Sequence, residues 1–203
     1  MTEWHFYEPA AGHRLPHDPL NAIVAPRPIG WISTVAADGT RNLAPYSFFN
    51  LLNYSPPLLG FSSMGWKDTV ANVEATGEFV WNLATRDLAE PMNATSAATG
   101  EDEFALAGIE AAPSRLVRPA RVAESPVAFE CRLTQLIELQ TKEGRGLDQW
   151  LVIGEAVGIH IDASLLDDGI YQTARARPIT RGGGPADYFE IREDALFRMR
   201  RPG

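Results

Sequence analysis

Residues 25–50 read APRPIGWISTVAADGTRNLAPYSFFN, and residues 56–82 read PPLLGFSSMGWKDTVANVEATGEFVWN. Two strand-like runs flank Asp38-Gly39, a dipeptide that accepts the positive φ a tight hairpin turn demands. The first run, Val24 to Ala36, is broken at its entry by Pro26 and Pro28. The return, Asn42 to Phe49, contains Pro45, which has no N–H for a ladder and so predicts an edge strand or a bulge. Leu58 to Ser63 reads as a short buried strand. Asp68 is placed to cap a helix over Thr69 to Ala75 that stops at Gly77, and Glu78 to Ala84 is a further strand.

Downstream, Asp87 to Ala98 predicts a second helix with Pro91 tolerated in its first turn. Gly100 to Pro126 is rich in Ala, Pro and Arg and predicts an irregular connection with one helical piece around Glu103 to Ala107. Val127 to Gln140 and Trp150 to Ile161 are long strand-like runs joined by the polar tip TKEGRGLDQ. Many short strands, few helices and no strand–helix alternation predict a mainly β, antiparallel barrel rather than a doubly wound sheet. The expected organisation is an extension over residues 1–18, a barrel domain over 19–164, and a segment over 165–203 that packs on the barrel or on a partner.

The chain has 203 residues, 45% of them hydrophobic, enough to bury a core without disulfides or metals. Its apolar runs fall short of the ~20 residues of a membrane span, and MTEWHFYEPAAGHR lacks the basic start and apolar middle of a signal peptide. A cytoplasmic protein is expected. The net charge of −8 disfavours nucleic acid and anionic membrane as partners, but not a small anion held by a local cation. Only two of the 18 basic residues are lysines, and one of them, Lys67, stands beside a helix start. The lone cysteine, Cys131, lies in an apolar run and reads as a buried, inert thiol.

Ser62-Ser63 to Thr69 offers free N–H groups at a helix start, hydroxyls and the Lys67 ammonium, a set that suits a phosphate; a plain capped helix is the alternative. Asn42, Tyr46, Ser47 and Asn50 interrupt apolar residues without strict alternation, which fits either the edge of a flat heterocycle or a bulged edge strand. Arg27-Pro28 with Trp31 to Thr34 is either part of that edge or a Pro-framed strand start. Arg181-Gly182-Gly183-Gly184 either lets backbone approach a ligand or forms a surface turn. It is no dinucleotide fingerprint, because Asp187 stands where a third Gly is needed. Pro16 separates His13 from His17, so no metal pair is expected there, and no G-x-S-x-G elbow supports hydrolase chemistry.

These residues carry a resemblance. RPIG (27–30), NLAPYS (42–47), Ser62-Ser63, KDT (67–69), Asn72, the Phe79 to Asn82 strand and Glu130-Cys131 resemble the flavin reductase-like, FMN-binding split-barrel family over roughly Pro19 to Tyr188. That family includes flavoredoxin and the reductase partners of two-component monooxygenases. The resemblance implies a Greek-key split barrel that dimerises with FMN near the subunit interface. It implies that Ser62, Ser63, Lys67 and Thr69 serve the phosphate and ribityl side, and that Ser33, Thr34 and the backbone of Ala44-Pro45-Tyr46-Ser47 lie along the isoalloxazine. Arg27, Asn50 and Arg181 complete the expected cofactor-binding set, although RGGGPADY (181–188) matches the family's tail element only loosely. The implied activity is hydride transfer from NADH or NADPH to flavin N5, with a monooxygenase or another acceptor downstream. A flavoredoxin-like electron carrier, a flavin-storage protein and a pyridoxamine-phosphate-oxidase-like enzyme are the alternatives.

Overall fold

The chain enters its fold through a one-turn helix α1 (Leu20–Ile23) and a two-residue strand β1 (Arg27–Pro28), cut short by Pro26 before it and Pro28 within it. In this computed structural model, which describes residues 2–97 and 102–202, β2 (Gly30–Val35) and β3 (Arg41–Tyr46) then form the expected hairpin. Gly39 takes φ +93°, and the Asp38 carboxylate accepts the Thr40 N–H at 2.9 Å.

The expected return strand, Asn42 to Phe49, proves to be two strands, because the chain bends at Ser47 and Phe48 and continues as β4 (Phe49–Asn53). β5 (Leu58–Met64) pairs with β4, and α2 (Asp68–Thr76) follows. The helix starts one residue earlier than expected. Lys67, in extended conformation, is its N-cap, and Asp68 is its first helical residue rather than its cap. Gly77 ends it in the left-handed region, returning its N–H to Val73 O at 2.8 Å.

β6 (Glu78–Asn82) comes next, then α3 (Ala89–Ala94), with Pro91 in its first turn. That helix starts two residues later than the expected Asp87 and ends at Ala94, with Thr95 as its C-cap, four residues short of the expected end; residues 98 and 100 themselves lie outside the described residues. The connection carries α4 (Glu103–Leu106) and a ribbon of β7 (Ala111–Ala112) with β8 (Arg121–Val122). The long hairpin is β9 (Val127–Gln140) and β10 (Gly146–Ile161), the second strand beginning earlier than the expected Trp150. Beyond it, β11 (Leu166–Asp167) pairs with β12 (Ile170–Tyr171), and β13 (Ile179–Arg181) joins β1 to β14 (Tyr188–Glu190). No helix among the described residues is long and apolar enough to cross a membrane.

The main sheet has the order β3-β2-β6-β9-β10-β5-β4, with antiparallel neighbours throughout. Its two end strands, β3 and β4, are consecutive in the chain and separated only by Ser47 and Phe48. The sheet must therefore curl until its ends approach each other, which makes a split barrel with its seam at that two-residue link. Ile32, Tyr46, Phe61, Val70, Val73 and Phe79 fill the interior around α2. A second core of Trp31, Leu43, Met92, Phe104 and Val122 packs α3, α4 and the connection on the outside of β2 and β3. Both faces of β2 are thus covered, and five of its six residues are buried.

Gly154 on β10 faces the Phe79 ring so closely that a methyl group there would lie 2.3 Å from Phe79 Cε1. Gly154→Ala is expected to cost about 1–3 kcal/mol of stability through overpacking. Urea unfolding checks this, and the cost should shrink in a Phe79→Leu background, where the ring edge is gone.

Candidate functional site

The seam decides which polar residues meet. Where β3 hands over to β4, Phe48 O accepts the Ser62 N–H at 2.8 Å, tying the link to β5. Beside it opens a cleft of 540 Å³ whose wall includes Arg27, Ser47, Phe48, Asn50, Ser62 and Leu151. Four of the expected site residues, Arg27, Ser47, Asn50 and Ser62, are therefore brought together. Ala44 and Pro45 lie half-buried on the end strand leading to the seam.

Arg27 organises one rim of this cleft. Its guanidinium donates to Asn21 O, Val24 O and Gly182 O and lies over the Phe48 ring at 5.7 Å, while its Nε is buried without a partner. It thereby joins α1 to the glycine run. Gly183 packs directly on Ala22, where a Cβ would come within 2.5 Å of the Ala22 Cβ. The run is thus a close chain contact rather than a free surface turn. Arg181 is occupied within that turn, donating to the carbonyls of Asp187, Gly184 and Pro185 and lying 4.8 Å from the Tyr188 ring centroid.

The start of α2 forms the second part of the site. No side chain caps it, and its first return bond is Ala71 N–H to Lys67 O at 3.0 Å. The N–H groups of Asp68, Thr69 and Val70 therefore have no partner within the helix. Lys67 is exposed, and among the described residues it makes no ion pair. Ser63 is buried and its hydroxyl donates to Gly65 O at 3.2 Å. Ser62 Oγ accepts from Gln149 Nε2 at 2.6 Å, a partner on the hairpin that sequence reasoning missed.

Other expected residues turn inward. Ser33 is fully buried, and its hydroxyl donates to Ala120 O at 2.5 Å, so its side chain holds the connection instead of facing a ring. Thr34 is buried as well, accepting from Asn42 and Asn72 amides, both at 3.1 Å. Thr69 Oγ1 accepts from Asn42 at 2.8 Å. Tyr46 lies in the core. Burial pushes its phenol up, against the opposing bonds to Thr69 and Ser63. The physical reason is shared: α2 and the connection close both faces of β2 and β3, so Thr34, Tyr46 and Thr69 form the buried frame of the helix start while Ser33 anchors the connection. Asn42 and Asn72 bind that frame together. The signal for them was present, since Asn42 breaks the apolar pattern and Asn72 belongs to the resemblance.

A bare helix start, an unpaired ammonium and adjoining serines fit the phosphate of a flavin mononucleotide, and an open seam fits the edge of its ring. Residues 24–180 match the family described as flavin reductase like domain. A protein of Aquifex aeolicus is 37% identical over 174 residues, which cover 80% of this chain and 83% of that one. Nitrilotriacetate monooxygenase component B of Bacillus cereus superposes with a TM-score of 0.82 at 30% identity, covering 89% of this chain and 90% of the other. The 2-nitrobenzoate 2-nitroreductase of Pseudomonas fluorescens gives 0.79 at 28% identity, covering 90% and 88%. By fold, seam and sequence match together, this chain belongs to the flavin reductase-like family of flavin-binding split-barrel oxidoreductases.

Proposed function

We propose that the protein is an NAD(P)H:flavin oxidoreductase that binds FMN along the β3–β4 seam. One observation carries the placement: the N-cap of α2 is Lys67, which makes neither a side-chain cap bond nor an ion pair among the described residues. There Lys67 and the free N–H groups take the phosphate, with Ser62 and Ser63 beside them. Arg27, Ser47 and Asn50 wall the ring, with the backbone of Ala44 and Pro45 along its polar edge. Tyr46 and Thr69 brace this surface from behind, with Ser33 and Thr34 deeper in the frame, and Arg181 holds the glycine turn at its rim.

When bound, the flavin supplies the redox chemistry, accepting a hydride at N5 and handing electrons on. The chain's share is position and electrostatics. The seam holds one ring face open for a nicotinamide, Phe48 and Leu151 line the cleft, and the backbone beside Pro45, which itself has no N–H, meets the polar ring edge. No acid or base is required of the protein.

We further propose a cytoplasmic homodimer. Phe48, Leu51, Leu52, Tyr54, Met64 and Trp66 leave large apolar areas exposed on strands and loops at the seam, as expected of a surface that a second copy covers. The acceptor is a partner monooxygenase or another electron carrier.

Anaerobic titration of the FMN-loaded protein with NADH and then NADPH tests the activity. Bleaching faster than that of free FMN with the same nucleotide is expected. A bound flavin that stays oxidised with both would remove the nicotinamide step and leave a carrier reduced by a protein.

A further inference from the structure

A second cavity, of 460 Å³, adjoins the flavin cleft and shares Pro28, Phe49 and Asn50 with it. Barrel residues such as Ile29, Trp81 and Phe129 form one wall, and Tyr171, Ile179 and Ile191 of the C-terminal segment form the other. No Asp, Glu, Lys or Arg lines it. A phosphate-bearing nucleotide would lose hydration there without gaining a counter-charge, so the cavity selects an uncharged molecule.

Its walls favour a flat one. Phe49 and Trp81 stack at 5.4 Å with an interplanar angle of 13°, and Phe129 meets Trp81 edge-on at 5.1 Å. Besides the hydroxyl of the exposed Thr173, two donors stand out against this apolar lining. Asn50 Oδ1 is engaged by the Leu51 N–H at 2.9 Å, which leaves its amide N–H groups for a ligand. The Tyr171 hydroxyl has no hydrogen-bond partner among the described residues, and burial alone pushes its phenol up. The neighbouring Thr180 hydroxyl is committed to Phe189 O at 3.3 Å.

We infer that this cavity binds a small, flat, uncharged aromatic molecule bearing carbonyl oxygens, of the quinone class, with Tyr171 and Asn50 donating to those oxygens. A purely apolar occupant, such as a side chain of a second copy, would offer the half-buried Tyr171 hydroxyl no partner. The volume lies in the range of about 300–1,000 Å³ usual for small-molecule sites. Binding itself needs no flavin; the relevance of the neighbouring redox ring rests on the FMN placement proposed above.

The test is calorimetric titration of the flavin-free protein with 2-methyl-1,4-naphthoquinone, followed in parallel by tryptophan quenching. Saturable binding is expected. Tyr171→Phe, which keeps the ring, should weaken it by about three- to tenfold through loss of one hydrogen bond. Ile161→Arg, at a wall position 42% exposed, should weaken it by at least about tenfold by bringing a charge to the cavity, with far-UV circular dichroism unchanged. Absence of saturable binding overturns the inference, as do equal affinities in both variants. Affinity that rises on dilution also overturns it, because a second copy then fills the cavity. FMN affinity is measured in the same samples. Quinone binding without FMN binding sinks the flavin placement alone, and FMN binding without quinone binding sinks this inference alone.

Discussion

Glu130→Ala is expected to destabilise the protein by about 3–5 kcal/mol, lowering its melting temperature by roughly 6–20 °C for a chain of this size. The Glu130 carboxylate is fully buried on β9. It accepts the backbone N–H groups of Arg115 at 2.8 Å, Leu116 at 2.5 Å and Val117 at 3.2 Å, and it meets His160 Nε2 at 2.5 Å. These bonds pin the connection between α4 and β9 to the barrel. Removing the carboxylate leaves three N–H groups without an acceptor and opens a void, and those two penalties add. Glu130→Gln keeps one acceptor oxygen and should cost less.

The same group gives a pH signature. Burial raises the carboxyl's tendency to hold a proton, but the bonds from His160, Arg115 and Leu116 outweigh it and hold the group below its ordinary value of 4.5. A depressed folded value means the contribution is fully present above that ordinary value and is lost as pH falls through the folded one. Denaturant midpoints measured from pH 6 down to pH 3 should therefore fall less steeply in Glu130→Gln than in the wild type. Parallel curves would show that Glu130 does not govern the acid limb.

Lys67→Ala should weaken FMN binding by about 10- to 150-fold, the equivalent of losing one charge-assisted contact of about 1.5–3 kcal/mol. The exposed ammonium makes no ion pair among the described residues, so its removal should change folding stability by no more than about 0.5 kcal/mol. Binding and folding are thus separable at this position. Lys67→Arg should recover most of the affinity, and the wild-type advantage should shrink in high salt. Fluorescence titration of apoprotein with FMN reads all three, and an affinity unchanged in Lys67→Ala would remove the phosphate from the start of α2. Thr69→Ala is a poorer probe, because the Thr69 hydroxyl accepts from Asn42 inside the protein and its loss mixes binding with structure.

Local chemistry made the hairpins and the end of α2 legible. Asp38-Gly39, Gly77 and the two long runs after residue 126 each announce their conformation without reference to distant residues. β4 escaped because Leu51 and Leu52 are both exposed, so its sequence shows no alternation, and only pairing with β5 makes it a strand. Glu130 escaped for a related reason. Its partners come from a loop upstream and a strand downstream, so nothing next to it in the run announces them. Ser33 and Thr34 entered the candidate set through the resemblance, which carries no information on burial; here the distant connection and α2 cover both faces of β2. Lys67 was legible as a residue of the helix start because it sits where the chain turns from β5 into α2.

The position of the β9–β10 hairpin at the centre of the sheet dictates an order of assembly. β6 docks on one of its strands and β5 on the other, through pairs such as Trp81 with Phe129 and Phe61 with Val152. Everything upstream of residue 127 is made by the ribosome before either partner exists. The β2–β3 and β4–β5 hairpins must wait as separate fragments, with apolar faces exposed, until the hairpin emerges and zips them into one sheet. Such long-range pairing is slow. The nascent chain is therefore most in need of a chaperone during the interval between synthesis of β6 and release of β10.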